Sequence, residues 1–245
     1  MSLILSIDAS QVKFHKLIPM KNYIQIAGVH DIADAEIIVS AGADAIGFPL
    51  RLDIHNPYLS EYLYAKEIIH FLKDKATPVL ITYLDKADEI IEFCSYLRVT
   101  WVQLHGDIPT KEIARIKTAA HHLSIIKSLV VREDNLVLLE EAVEYFSPHV
   151  DAFITDTYDS ATGAMGATGL THDWTVSHRL VELSERPVIL AGGLHAGNVS
   201  EAIREVQPAG VDVHTGVKNG GMRNDLSKVN EFISNAQKAF NEDLT

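Results

Sequence analysis

The stretch VILAGGLHAGNVSEAIREVQPAGVDVHTGV, residues 188–217, decides how the rest of the chain is read. Val188–Ala191 is an apolar run of strand length, broken by Gly192-Gly193. Val199, Ala202, Ile203 and Val206 then recur at i, i+3, i+4 and i+7, the stripe of an amphipathic helix whose start is expected near Asn198. A second apolar run, Val211–Val213, follows, and Thr215-Gly216-Val217 ends it. Strand, turn, helix and strand in so short a span form one βα unit leading into the next. Runs this short and this apolar belong to strands covered on both faces, as in a parallel sheet.

The same alternation extends outward along the chain. Further candidate strands are Tyr23–Ala27, Ala45–Phe48, Pro78–Thr82, Trp101–Leu104, Ile125–Ser128 and Ala152–Thr155. Between them lie helical patterns. Asp31 is expected to cap a helix that runs to about Ser40, with Gly42 just past its end. Asp85 is expected to cap a helix carrying Ala87, Ile90, Ile91, Cys94 and Leu97 on one face. Asp225 is expected to cap a last helix bearing Leu226, Val229, Phe232 and Ile233. Eight β-then-α units predict an α/β fold of the (β/α)8 TIM-barrel type in a single domain, residues 21–245, preceded by a short N-terminal extension, residues 1–20. The rival architecture is an open doubly wound sheet. The first strand lacks the Gly-x-Gly-x-x-Gly turn of its dinucleotide-binding form.

Composition narrows the function classes. The 245 residues are 47% hydrophobic and 22% charged, enough apolar material for a large core. Lys and Arg total 21 against 33 Asp and Glu, a formal charge of −12, which argues against nucleic acid or an anionic membrane as partner. The single cysteine, Cys94, cannot form an internal disulfide and reads as a core residue. No signal-peptide pattern and no apolar run of membrane-spanning length stand out, so a soluble cytoplasmic protein is expected.

In a barrel of this kind the active site gathers at the C-terminal ends of the strands. The turns after strands 7 and 8 hold Gly192 and Gly193, and Thr215 and Gly216. Glycine lets backbone N–H groups approach an anion, and a helix N-terminus adds a favourable dipole. These four residues are the phosphate-binding candidates. Asp156 closes an apolar run at the end of strand 6, where burial would raise its pKa into the range of a general acid. His30, His55, His105, His214 and Tyr83 also fall near strand ends, each either a proton acceptor or a structural hydrogen-bonding group. Combinations of Asp53, His55, His105 and His214 have no metal-ligand spacing, and no metal is expected. The Gly-rich segment 162–169 reads as a lid or a plain connector.

Taken together, several of these stretches resemble the phosphoribosylanthranilate isomerase family. They include Gly42-Ala43-Asp44-Ala45-Ile46-Gly47-Phe48, Val102-Gln103-Leu104-His105-Gly106, Ile125-Ile126-Lys127, Asp156-Thr157, and Thr168-Gly169-Leu170-Thr171-His172-Asp173-Trp174. Ala191-Gly192-Gly193-Leu194 and Val211-Asp212-Val213 with Thr215-Gly216-Val217 complete the set, in order, from about residue 22 to 237. The resemblance implies an Amadori rearrangement of an aminoaldose phosphate to an aminoketose phosphate, without cofactor or metal. It places Asp156 on the general acid, Gly193, Thr215 and Gly216 in the phosphate loops, and Asp212 on a carboxylate facing the substrate. With Asp212, Arg51 and His105 complete the substrate-binding candidates. Two positions depart from the family pattern. The family's first strand ends Lys-x-Cys-Gly, its cysteine serving as general base, where this chain has Gln25-Ile26-Ala27-Gly28. In the loop after strand 2, Asn56 or Pro57 occupies the place of the family's arginine, and Arg51 lies several residues earlier.

Three readings therefore stand: an isomerase of that type on a phosphorylated sugar; a lyase or aldolase-like enzyme on the same phosphate grip, with Lys127 as its Schiff-base candidate; and a phosphosugar-binding barrel without activity.

Overall fold

The computed structural model describes residues 20–50, 59–157, 171–220 and 223–242. Arg51, Asp53, His55, the segment 162–169 and all but the last residue of the expected extension lie outside that set. Among the described residues, eight parallel strands alternate with eight α-helices. They are β1 Tyr23–Ala27, α1 Ile32–Ala41, β2 Ala45–Pro49, α2 Leu59–Phe71, β3 Thr77–Thr82, α3 Ala87–Leu97, β4 Trp101–Leu104 and α4 Thr110–Ala119. β5 Ser124–Val131, α5 Leu136–Phe146, β6 Ala152–Thr157, α6 Trp174–Leu183, β7 Val188–Leu190, α7 Val199–Val206, β8 Gly210–Val213 and α8 Leu226–Glu242 follow. The strands pair in sequence order and β8 closes on β1, from Tyr23 opposite Gly210 to Ile26 opposite Val213. The closed ring is the expected TIM barrel and excludes the open sheet.

Strand periodicity sorts the core into two layers. Residues of one parity, among them Ala45, Val79, Ile126, Ile154, Ile189 and Ala191, fill the barrel interior, and Met20 packs with them. Residues of the other parity, such as Ile24, Ile46, Leu80, Ile125, Phe153 and Val211, pack against the surrounding helices. This parity fixes which polar residues face the interior: Gln25, Gln103, Ser128, Asp156 and Asp212 all do.

Local chemistry explains several element ends. The Asp31 carboxylate accepts from the Asp34 N–H, and Gly42 ends α1 in the left-handed region at φ 93°. Asp225 accepts from the N–H groups of Ser227 and Lys228 at the start of α8. Three sequence expectations need correction. The residue at the start of α3 is Lys86, not Asp85, and the Ala87 N–H there donates to Glu112 Oε2 of α4, 3.0 Å away. β6 continues past Thr155 because its pairing with β5 runs on to Thr157, so Asp156 lies within the strand. β5 likewise runs to Val131, which places Lys127 mid-strand rather than at its end.

Candidate active site

The interior of the barrel carries a continuous polar chain toward its C-terminal mouth. Tyr23 Oη donates to Gln25 Oε1 (2.9 Å), Gln25 Nε2 to Gln103 Oε1 (3.2 Å), and Gln103 Nε2 to Ser128 Oγ (3.4 Å). Ser128 Oγ lies 3.0 Å from His105 Nδ1, and His105 Nε2 lies 3.8 Å from Asp156 Oδ2. The Tyr83 ring meets the His105 imidazole edge-on, with centroids 4.9 Å apart. Four strands, β1, β4, β5 and β6, thus contribute to one polar row.

Two carboxyls face this row. Burial pushes the Asp156 carboxyl above the usual carboxylate range, opposed by His105 and by the Thr157 N–H that donates to Asp156 Oδ1 at 2.8 Å. Its side chain keeps 14% of its surface exposed, enough for access from the mouth. Asp212, paired across the strands with Gln25, is pushed up to about 7, by burial first and then by the Asp156 carboxylate, against the Gln25 hydrogen bond and Lys218. Asp212 Oδ1 is buried without a hydrogen-bond partner. Two carboxyls, both raised by burial, are suited to giving and taking protons.

The glycine turns converge. A methyl group at Gly216 would run into the Leu194 carbonyl and stand 2.9 Å from His195 Cβ, so the turns after β7 and β8 touch there. Gly192 and Gly193 adopt φ of 100° and 63°, conformations that L side chains rarely take. Asn198 Nδ2 donates to the Gly193 carbonyl and Asn198 Oδ1 accepts from the His195 N–H, bracing the β7 turn below α7. Thr215, Gly216 and Val217 form one 3-10 turn after β8. The turns after β7 and β8 therefore meet at the strand ends, through Gly216 against Leu194 and His195.

Lys127 belongs elsewhere. It shares the parity of Ile125 and Leu129, and its Nζ donates to the carbonyls of Ser128 (2.9 Å) and Gly106 (3.2 Å), with the Phe146 ring 5.7 Å away. Its amine sits between the barrel wall and α5, on the face opposite Asp156 and Asp212, and serves strand-end carbonyls. This placement removes the Schiff-base reading.

Sequence reasoning missed a second cation. Lys218 Nζ is bound by Gly28 O (2.5 Å) and Asn224 Oδ1 (2.9 Å). Asn224 also donates to Gly28 O and to Asp34 Oδ2, so the end of β1 is tied to the segment after β8. Burial lowers the Lys218 amine to about 8, against the attraction of Asp34 and Asp212. The only sequence signal for it was its position directly after the Thr215-Gly216-Val217 turn. Among the described residues, no group of three or more His, Cys, Asp or Glu side chains has metal-binding geometry.

A closed (β/α)8 barrel with two interior carboxyls toward the C-terminal strand ends has the architecture of a TIM-barrel enzyme. The family model for N-(5'-phosphoribosyl)anthranilate (PRA) isomerase matches residues 24–235, and the chain belongs to that family. It is 38% identical over 218 residues to N-(5'-phosphoribosyl)anthranilate isomerase 2 of Methanosarcina mazei, covering 89% of this chain and 95% of the relative. It is 34% identical over 224 residues to the corresponding isomerase of Methanosarcina acetivorans, covering 87% and 92%. Among solved structures, the Thermotoga maritima phosphoribosyl anthranilate isomerase superposes with a TM-score of 0.74 at 29% identity, covering 88% of this chain and 98% of that one. A phosphoribosyl anthranilate isomerase in complex with reduced 1-(o-carboxyphenylamino)-1-deoxyribulose 5-phosphate superposes at 0.72 with 27% identity, covering 88% and 98%.

Proposed function

We propose that this chain isomerises a phosphorylated aminoaldose, N-(5'-phosphoribosyl)anthranilate or a near relative, to its aminoketose. The carrying observation is that Asp156 and Asp212 face one interior space while the Gly192-Gly193 and Thr215-Gly216 turns meet beside the same mouth. The glycine corner binds the phosphate through backbone N–H groups. Asp156, its carboxyl raised above the usual carboxylate range by burial, donates its proton to the ring oxygen. The C1–O pair goes to that oxygen, and the nitrogen lone pair forms the C1=N bond. Asp212 and His105 hold the sugar, and Arg51, outside the described residues, stays a substrate-binding candidate on the sequence alone. No metal or redox group is needed, because every electron pair that moves stays within the sugar and its nitrogen. A small-molecule biosynthetic role supports a cytoplasmic location. No helix among the described residues is long and apolar enough to cross a membrane.

Turnover of N-(5'-phosphoribosyl)anthranilate by the purified chain, followed by loss of substrate fluorescence, together with rescue of a tryptophan auxotroph, tests the reading. Ala27 favours one alternative, a phosphosugar-binding barrel without catalysis, since a methyl group accepts no proton. Tight binding of the reduced product analogue without turnover would establish that alternative.

A further inference from the structure

The rearrangement proposed above has a second half: the proton on C2 must leave. Resting on that reading, we propose that His214 is the group that accepts the C2 proton, doing so from the strand next to Ala27. The register carries the argument. β1 and β8 pair up to Ile26 opposite Val213, so one residue further on Ala27 and His214 stand side by side at the mouth. His214, one residue past the end of β8, lines the pocket at the ends of β1 and β2 together with Gly28, His30, Pro49 and Leu50. The approach is close, since a Cβ at Gly28 would stand 2.7 Å from His214 Nε2. The ring therefore covers the end of β1, where Ala27 presents only a methyl group.

His214 is half-buried, and among the described residues it is the histidine with a buried ring nitrogen that no structural role explains. His172 has both ring nitrogens engaged, Nδ1 by Thr157 Oγ1 at 2.8 Å and Nε2 by Ser177 Oγ at 2.6 Å. His105 is held by Ser128 and faces Asp156. His214 Nδ1, in contrast, is buried without any hydrogen-bond partner. An unpaired buried nitrogen is costly and needs a reason. Burial, the Lys218 amine and the nearby His30 all disfavour the imidazolium, so the ring is neutral at working pH and has a lone pair to offer.

The step balances. The C2–H pair becomes the C1=C2 bond, the C1=N π pair returns to nitrogen, and the proton goes to the His214 imidazole. C1 then takes up a proton as the C2 hydroxyl gives one up, so the product is an isomer of the substrate and no co-reactant is consumed. Asp212, deeper by one interior layer, remains a substrate-holding group.

The test compares wild type, His214→Ala, His214→Gln and the double variant Ala27→Cys/His214→Ala, using substrate carrying deuterium at C2. If His214 takes the proton, both single variants lose kcat by about 10²–10⁴-fold. Affinity for the reduced product analogue is kept, which shows that the fold and pocket survive. The C2 isotope effect on kcat rises, and a thiol restored at position 27 recovers activity. Single variants with wild-type kcat and an unchanged isotope effect would overturn the inference while leaving the isomerase reading intact. A wild type that binds the analogue but never turns over substrate would overturn both.

Discussion

His105 Nε2 lies 3.8 Å from Asp156 Oδ2, and the same imidazole is fixed from behind by Ser128 Oγ at its Nδ1. The pair sets how readily Asp156 parts with its proton. Burial raises the carboxyl and His105 opposes that rise, so removing the imidazole takes away the opposing influence. An acid must be protonated to act, and its contribution to kcat/KM falls as pH climbs through its pKa. His105→Gln is therefore expected to move the alkaline limb of the kcat/KM profile to higher pH. A limb that stays in place, or moves to lower pH, would show that another group titrates there.

Asp156 itself is the sharper test. Asp156→Asn keeps the shape and the Thr157 N–H contact but removes the transferable proton. General-acid catalysis is commonly worth about 10²–10⁴-fold, and a loss of that order in kcat is expected. Affinity for inorganic phosphate, measured calorimetrically, should hardly change, because the glycine corner is not involved. Equal losses in both would mean that the carboxyl mainly supports the pocket.

Gly216 tests the corner. A side chain there has to displace the Leu194 carbonyl and the His195 backbone, whose Cα would lie 3.0 Å from the new Cβ, and so it pries the two turns apart. Gly216→Ala is expected to raise the Kd for phosphate and the KM for substrate by roughly tenfold or more, a penalty of about 1.4 kcal/mol per decade. The kcat at saturation should fall far less. Unchanged phosphate affinity would place the dianion elsewhere.

Much of this was legible in the chain, for a physical reason. Strands buried on both faces must be short and apolar, so all eight stood out. Asp31, Gly42 and Asp225 were readable because their chemistry is local to one helix end. What escaped was tertiary. The first turn of α3 is capped from α4 by Glu112, so Asp85 carried a misleading signal. Lys127 looked like a strand end because Lys127-Ser128 interrupt the apolar run before Leu129-Val130-Val131 resume it, and one register step decides whether it faces the interior or α5. The Asn224–Asp34 contacts join residues 190 positions apart, and no spacing rule reaches that far. For the site, residue types at strand ends named the candidates, but only the β1–β8 register singled out His214 from the other histidines.

Asp212 supplies the last prediction, on stability rather than rate. Its carboxyl has a pKa of about 7 in the folded chain against an ordinary 3.8, so folding disfavours the ionised form. The sign follows directly: below the ordinary value both states are neutral and no penalty exists. As pH rises from there toward 7 the unfolded chain ionises first, and the folded state loses stability until its own carboxyl ionises. Asp212→Asn removes the titration and keeps a polar group for Gln25. The variant should thus melt at a higher temperature than wild type at pH 8, with the gap closing by about pH 4. For a chain of this size each kcal/mol moves Tm by about 2–4 °C, so a shift of several degrees is expected. Turnover should fall in the same variant, the pattern of a group kept for function at a cost in stability. If the two proteins melt alike at pH 8, the carboxyl is not strained in the folded chain, and its placement beside Asp156 needs another explanation.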